Sequence, residues 1–320
     1  MRVHLVDGTY ELFRAHYSQR PAHASPGGQD VKATVGVAAS LLALLHDPDE
    51  AVTHIAVAFD NPMMSFRNEL FAGYKTDEGV EPALAAQIDL VEEAVHALGV
   101  AVWSMRAHEA DDAMATGALV FREQVEQVRL LTPDKDLGQC LLGRRVVQVD
   151  RARKRELDED ALRQLRGFSP ASVPDWLALV GDAADGIPGL PGFGDKTVAA
   201  LLGRFGHLEQ IPDSAATWPK VRGADVLAAT LQARRTEAML YRRLATAALD
   251  APIPQSLDAI AFAGVPRRRF LAWCDALGVS SLRARPTRWD DRSGDALFSI
   301  FHPRDRRGAP VSRIARRERQ

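Results

Sequence analysis

The chain has little that would mark it for secretion, a membrane or a covalent scaffold. Its two cysteines, Cys140 and Cys274, are too few for a disulfide framework or a zinc-ligand set. No apolar run approaches the ~18 residues of a membrane span. The opening Met1-Arg2-Val3-His4-Leu5-Val6-Asp7 has no apolar h-region, so no signal peptide is expected, and a reducing cytoplasm is the expected compartment. Net charge is also small, at −2 over 320 residues, but it is unevenly spread. Residues 281–320 hold 11 arginines and no lysine against 5 acids, a local +6. The other 280 residues carry 29 basic against 37 acidic side chains, a local −8. An acidic body argues against nucleic acid as partner. That argument fails if the acids converge on metal ions, so their placement decides it.

What is present is an ordinary globular composition, 46% hydrophobic and 26% charged. The length suits about two domains. Strand signals at 3–6, 54–59, 100–103, 128–131 and 146–149 alternate with helical periodicity at 32–46, 84–98 and 109–121. Such alternation predicts right-handed βαβ units and a mostly parallel sheet. After about residue 155 the strand signal stops. Helices are predicted at 156–166, 174–181, 195–205, 224–247 and 267–278, with Gly and Pro crowding 186–194. The expected parts are an α/β domain over 1–170, a helical region over 171–280 and an Arg-rich, disordered tail over 281–320.

Three predicted strands run into aspartate: Asp7 after Val6, Asp60 after Phe59, and Asp134 shortly after Leu131. In a parallel sheet these ends share one edge, where ligands bind. Asp136, two residues on, falls on the same face of extended backbone as Asp134. Glu109, Asp111 and Asp112 open a helix on that edge, where acids also complement the helix dipole. Asp182 and Asp185 close a later helix, where acids oppose the dipole. Nine such carboxylates would repel one another and raise their own pKa values. Hard divalent cations relieve this, and the lack of His and Cys disfavours zinc. Two metals about 4 Å apart suit in-line phosphoryl displacement.

Gly189-Leu190-Pro191-Gly192-Phe193-Gly194-Asp195-Lys196-Thr197 is not a Walker loop, because Asp195 interrupts it and no strand precedes it. A helix on each side suits either a tight interhelical turn or a hairpin whose amides meet a phosphate.

Taken in order, these motifs resemble the bacterial 5′–3′ exonuclease and flap endonuclease family, that of the N-terminal nuclease domain of DNA polymerase I. The likeness runs over about residues 2–250. It rests on Val6-Asp7-Gly8 with Phe13-Arg14, and on Phe59-Asp60 with Ser65-Phe66-Arg67 and Gly73-Tyr74-Lys75. It continues through Glu109-Ala110-Asp111-Asp112, Thr132-Pro133-Asp134-Lys135-Asp136-Leu137, Gly181-Asp182 with Asp185-Gly186-Ile187-Pro188-Gly189, and Gly192 to Thr197. The resemblance implies a PIN-like α/β nuclease domain followed by a helix–three-turn–helix clamp of the helix-hairpin-helix type. It implies hydrolysis of DNA with 5′ ends, flaps or nicks; with no polymerase domain in the sequence a stand-alone nuclease is expected, a monomer away from membranes. Two Mg²⁺ ions, replaceable by Mn²⁺, would serve it, with K⁺ near Gly192 and Gly194. Asp7, Asp60, Glu109 and Asp111 would hold one metal; Asp112, Asp134, Asp136, Asp182 and Asp185 the other. Lys75 and Arg67 would hold the scissile phosphate, and Gly192, Gly194, Lys196 and Thr197 would meet the DNA backbone. Arg14 suits either a phosphate contact or a solvated helix face, and Tyr74 either a stacked base or packing. Lys75 is followed by Asp77, Glu78 and Glu81, where the family usually places basic residues. Gly186 stands where the family commonly has Asn, and Phe193 where it has Ile. The other expectation is a DNA-structure-binding protein of the same fold with weak or no catalysis.

Overall fold

The computed structural model describes residues 1–291. Its elements are β1 (Arg2–Asp7), α1 (Gly8–His16), α2 (Lys32–Leu45), β2 (His54–Asp60), α3 (Arg67–Leu70), α4 (Pro82–Ala85), α5 (Ile88–Ala97), β3 (Ala101–Met105) and α6 (Ala110–Phe121). There follow β4 (Gln127–Leu131), β5 (Val146–Asp150), β6 (Arg155–Leu157), α7 (Glu159–Arg166), α8 (Val173–Val180), α9 (Asp195–Phe205), α10 (Ala224–Ala245), β7 (Val265–Pro266), α11 (Arg267–Ala276) and β8 (Trp289–Asp290).

The main sheet has the order β3-β2-β1-β4-β5-β6. Strands β1 to β5 are parallel, in register Asp7↔Ala58 and Val6↔Leu131, and β6 is antiparallel to β5. Apolar runs such as Ile55–Phe59 suit strands covered on both faces. Helices α1, α2, α5 and α11 cover one face, and α6 the other. Winding runs outward from β1 to β3 and then resumes on the far side at β4. The crevice beside β1 and β4 is therefore the topological switch point, the usual ligand position in such sheets. Helices α8, α9 and α10 form a second core around Trp176, Leu177, Leu201 and Leu231.

The expected α/β sheet followed by a helical region is what the chain adopts, but three details differ. Strand β6 lies at 155–157, where only helix is predicted, because a three-residue edge strand is too short to show alternation. Helix α11 leaves the helical core and packs on α5 through Phe270 and Trp273. Residues 281–291 are ordered, since Leu282 is buried in the main core and β8 pairs with β7. The rest of the expected tail, 292–320, lies outside the described residues. No helix among the described residues is long and apolar enough to cross a membrane.

One buried ion pair fastens the helical region to the sheet. The Arg67 side chain donates from Nη1 and Nη2 to both oxygens of Asp112, at 2.8 and 2.7 Å. Its Nε donates to the Leu244 carbonyl at 2.7 Å and Nη2 to that of Thr246 at 3.0 Å, at the C-terminal end of α10. Arg67 is 3% exposed and Asp112 0%. Removing one member of such a pair leaves an uncompensated buried charge. Arg67→Ala is expected to lower the unfolding free energy by about 3–5 kcal/mol. Urea denaturation checks this; a change within error would refute the latch.

Candidate metal centre

The C-terminal sheet edge collects acids because each strand ends by starting a helix. Asp7 ends β1 and caps α1, its Oδ1 accepting from the Tyr10 amide at 2.8 Å. Its Oδ2 accepts from the Thr132 hydroxyl, at 2.9 Å and 125 positions away. Asp60 ends β2, and its Oδ1 accepts from the Ala110 amide at the start of α6, at 2.7 Å. Asp134 caps a short 3-10 helix over Lys135–Cys140, accepting from the Asp136 amide at 2.9 Å. Asp182 and Asp185 lie on a tight loop after α8, closed by reciprocal backbone bonds of 2.8 Å between Asp182 and Ile187.

Burial and mutual repulsion mark these groups as one cluster. Burial pushes Asp7 up to about 7, with Asp60 and Asp134 adding to it against the Tyr10 and Thr132 hydrogen bonds. Burial likewise holds Asp111 well above its ordinary range, helped by Asp134, Asp7 and Asp60. Asp136 is raised by burial and then by Asp134, Asp185 and Asp182. Asp60 is raised mainly by burial, with Glu109 adding to it. The tightest group is Asp136, Asp182 and Asp185, each offering an oxygen within 4.8 Å of the others. Asp136 Oδ1 is buried and has no hydrogen-bond partner. A divalent cation would satisfy it, and an all-oxygen donor set fits Mg²⁺ or Mn²⁺.

Two lysines partly neutralise the cluster. Lys75 Nζ lies 3.0 Å from Glu109 Oε2 and 2.9 Å from Asp185 Oδ1. Lys135 Nζ pairs with Asp182 and lies 3.6 Å from Asp136 Oδ1. Lys135 carries no signal in a search for acids, although its place between Asp134 and Asp136 is plain in the sequence. Thr132 is legible only once the register of β1 and β4 is known. The Lys75 segment is anchored through its own amide, which donates to the Asp185 carbonyl at 3.1 Å. Beside it Gly186 has φ +72°, and a Cβ there would lie 2.1 Å from the Gly73 carbonyl oxygen.

Eight of the nine expected acids thus adjoin one another: Asp7, Asp60, Glu109, Asp111, Asp134, Asp136, Asp182 and Asp185. Asp112 is a correction. Its oxygens are taken by Arg67, by the Glu109 amide at 2.9 Å and by the Ala248 amide at 2.7 Å, leaving none for a metal. Burial opposes its charge, but the Arg67 bonds hold its pKa below the ordinary value. Arg67 is a second correction, since its guanidinium is spent on Asp112 and two carbonyls and is closed to phosphate. Tyr74 is a third: it is buried in the helical core, and its hydroxyl donates to Glu109 Oε2 at 3.2 Å, so no ring face is free for a base. Arg14 is half-buried against Glu11 and Ser40 instead of lying on a solvated face. Gly192, Gly194 and Lys196 are exposed on the turn between α8 and α9, with Thr197 half-buried behind them. The Trp176 indole N–H fixes that turn by donating to Asp195 Oδ1 at 2.8 Å.

Comparisons with known proteins agree on one family. The model of the 5′-3′ exonuclease N-terminal resolvase-like domain matches residues 2–167, and that of the 5′-3′ exonuclease C-terminal SAM fold matches 168–268. DNA polymerase I of Bacillus caldotenax is 33% identical over 283 residues, 87% of this chain and 31% of that protein. DNA polymerase I of Pseudomonas aeruginosa is 36% identical over 272 residues, 83% of this chain and 29% of that protein. The chain therefore spans about a third of the length of these curated relatives. Among solved structures, T5 5′-exonuclease with bound zinc has a TM-score of 0.61 at 18% identity, over 85% of this chain and 97% of that one. The catalytic core of Rad2 in complex with DNA substrate has a TM-score of 0.57 at 14% identity, over 88% and 89%. At such identities the likeness establishes the fold.

The raised acids have a consequence for stability. A carboxyl such as Asp7, at 3.8 ordinarily and about 7 in the fold, is ionised in the unfolded chain first. Its penalty is absent below 3.8, grows as pH rises to about 7 and is complete above that. A metal that binds only the folded, ionised cluster offsets this penalty. Mg²⁺ is therefore expected to raise the melting temperature more at pH 8 than at pH 5, and Asp7→Asn to raise the metal-free value at pH 8. Thermal unfolding with Mg²⁺ and with EDTA checks both; equal Mg²⁺ gains at the two pH values would contradict the cluster's role.

Proposed function

The chain belongs to the 5′–3′ exonuclease family, and from that membership we propose that it hydrolyses DNA phosphodiester bonds near 5′ ends, flaps and nicks. The observation that carries this reading is the trio Asp136, Asp182 and Asp185, in which the buried Asp136 Oδ1 accepts no hydrogen bond. In this proposal Asp134, Asp136, Asp182 and Asp185 hold one Mg²⁺, and Asp7, Asp60, Glu109 and Asp111 the other, with Mn²⁺ as a substitute. When bound, two such ions supply positive charge at the attacking and leaving oxygens of an in-line displacement.

The chain's own residues do the rest. Glu109 is oriented by the Ser65 hydroxyl at 2.6 Å and by Tyr74, so its carboxylate is fixed before any ion arrives. Lys75 stands at the mouth of the cluster with its side chain 31% exposed and is the cation that meets the scissile phosphate. Lys196 and the Gly192–Gly194 turn meet the duplex backbone, with K⁺ at the turn, and the chain works as a monomer. A second reading, structure-specific DNA binding with weak turnover, draws on the acidic segment after Lys75. Asp77 and Glu78 are exposed, and Glu81 is drawn to His16 at 3.2 Å and to the Tyr17 hydroxyl at 3.3 Å.

A 5′-flap substrate is expected to be cut with Mg²⁺ and to stay intact with EDTA. Cleavage that ignores EDTA would sink the metal reading, whereas binding in Ca²⁺ with no turnover in Mg²⁺ or Mn²⁺ would favour the second. Asp134→Asn retains a capping oxygen and so the fold. It is expected to slow hydrolysis by about 100-fold while leaving flap affinity near that of the parent. Near-parental cleavage by this variant would remove Asp134 from the site.

A further inference from the structure

Next to the metal centre the surface changes sign. A cleft of about 130 Å³ lies between β6, α7 and α8, floored by Leu162, Val173 and Trp176. Its walls carry Lys135, Arg153, Arg155 and Arg166, and its single acid is Asp150. Asp150 is already neutralised by Arg153 at 3.0 Å. Arg155 is exposed, and the Arg166 guanidinium lies 4.2 Å from the centroid of the Trp176 ring. Beside it Leu165 is 55% exposed, a large apolar side chain left open on a charged wall. Lys135 belongs both to this cleft and to the ion pair with Asp182, so the cleft opens directly beside the carboxylates.

We propose that this cleft holds one nucleotide of an unpaired nucleic-acid strand running past the metal centre. The base lies against Leu165 and the outer face of the Arg166 guanidinium, which Trp176 backs from beneath. The adjoining phosphate sits on Arg155. Three properties select this occupant. The cleft is well below the ~300 Å³ at which drug-sized ligands begin, so it admits a base and not a duplex. An excess of cations beside an acidic bowl attracts a polyanion that the bowl alone would repel. A guanidinium plane over an aromatic ring is a stacking platform tolerant of base identity. The proposal rests on the nucleic-acid reading of the neighbouring centre, but not on its catalysis.

The test is equilibrium binding without turnover. Fluorescence anisotropy of a fluorescein-labelled single-stranded DNA oligonucleotide is measured in EDTA for the parent chain, Arg166→Ala, Leu165→Glu and the control Arg144→Ala. Arg144 is exposed in the turn that precedes β5, at the opposite end of that strand from Asp150. Leu165→Glu alters an exposed side chain and so keeps the fold, which matching melting temperatures verify. Both cleft variants are expected to bind the single strand at least about fivefold more weakly. Arg144→Ala is expected to match the parent, and blunt duplex affinity is expected to stay constant throughout. Undiminished single-strand binding by both cleft variants overturns the proposal, as does an equal loss on duplex or no measurable binding by the parent. A chain that binds through the cleft yet never cleaves with Mg²⁺ sinks the nuclease reading and leaves the cleft standing.

Discussion

Holding like charges together out of water is the constraint on which this structure depends. Eight carboxylates meet at one sheet edge, and among them burial and neighbouring charge favour the neutral forms of Asp7, Asp111 and Asp136. The fold tolerates this by three means. Backbone amides at helix starts bind the oxygens of Asp7, Asp60 and Asp134. Lys75 and Lys135 lie between pairs of acids. The remaining cost is carried as raised pKa values, a repulsion that a divalent cation bound there would relieve. The parallel sheet, with its core on both faces, is stiff enough to hold the arrangement.

Much of this was legible in the sequence because a parallel sheet converts chain order into spatial order. Apolar runs that end in aspartate at 7 and 60, and just before 134, can only deliver those acids to a common edge. The helices over 195–205 and 224–245 were legible from periodicity and from the glycines around them. What stayed hidden depends on direction. Asp111 and Asp112 are adjacent, but successive helical residues point about 100° apart. One therefore faces the acids and the other faces Arg67, and nothing local says which. The places of Arg67 and Tyr74 stayed hidden for the same reason. Both types suit DNA contact, but their partners lie on α6, on Glu109 and at the end of α10, far along the chain. Short pairings such as β6 and β7–β8 escape notice because two or three residues carry no period.

The distribution of charge also changes meaning once it is folded. The sequence shows an acidic body, which taken alone argues against a polyanionic partner. The structure concentrates part of that acidity in one bowl and sets Arg153, Arg155 and Arg166 in the cleft beside it. Net charge thus describes neither region, and sign varies over the width of a single strand connection.

The contact between Gly186 and the Gly73 carbonyl leaves no room for a side chain at 186. The separation of the two loops is set there by main chain against main chain, with no side chain available to be trimmed or lengthened. The first carbon added at 186 would meet the Gly73 carbonyl at 2.1 Å, so either the turn or the ribbon that bears Lys75 must give way.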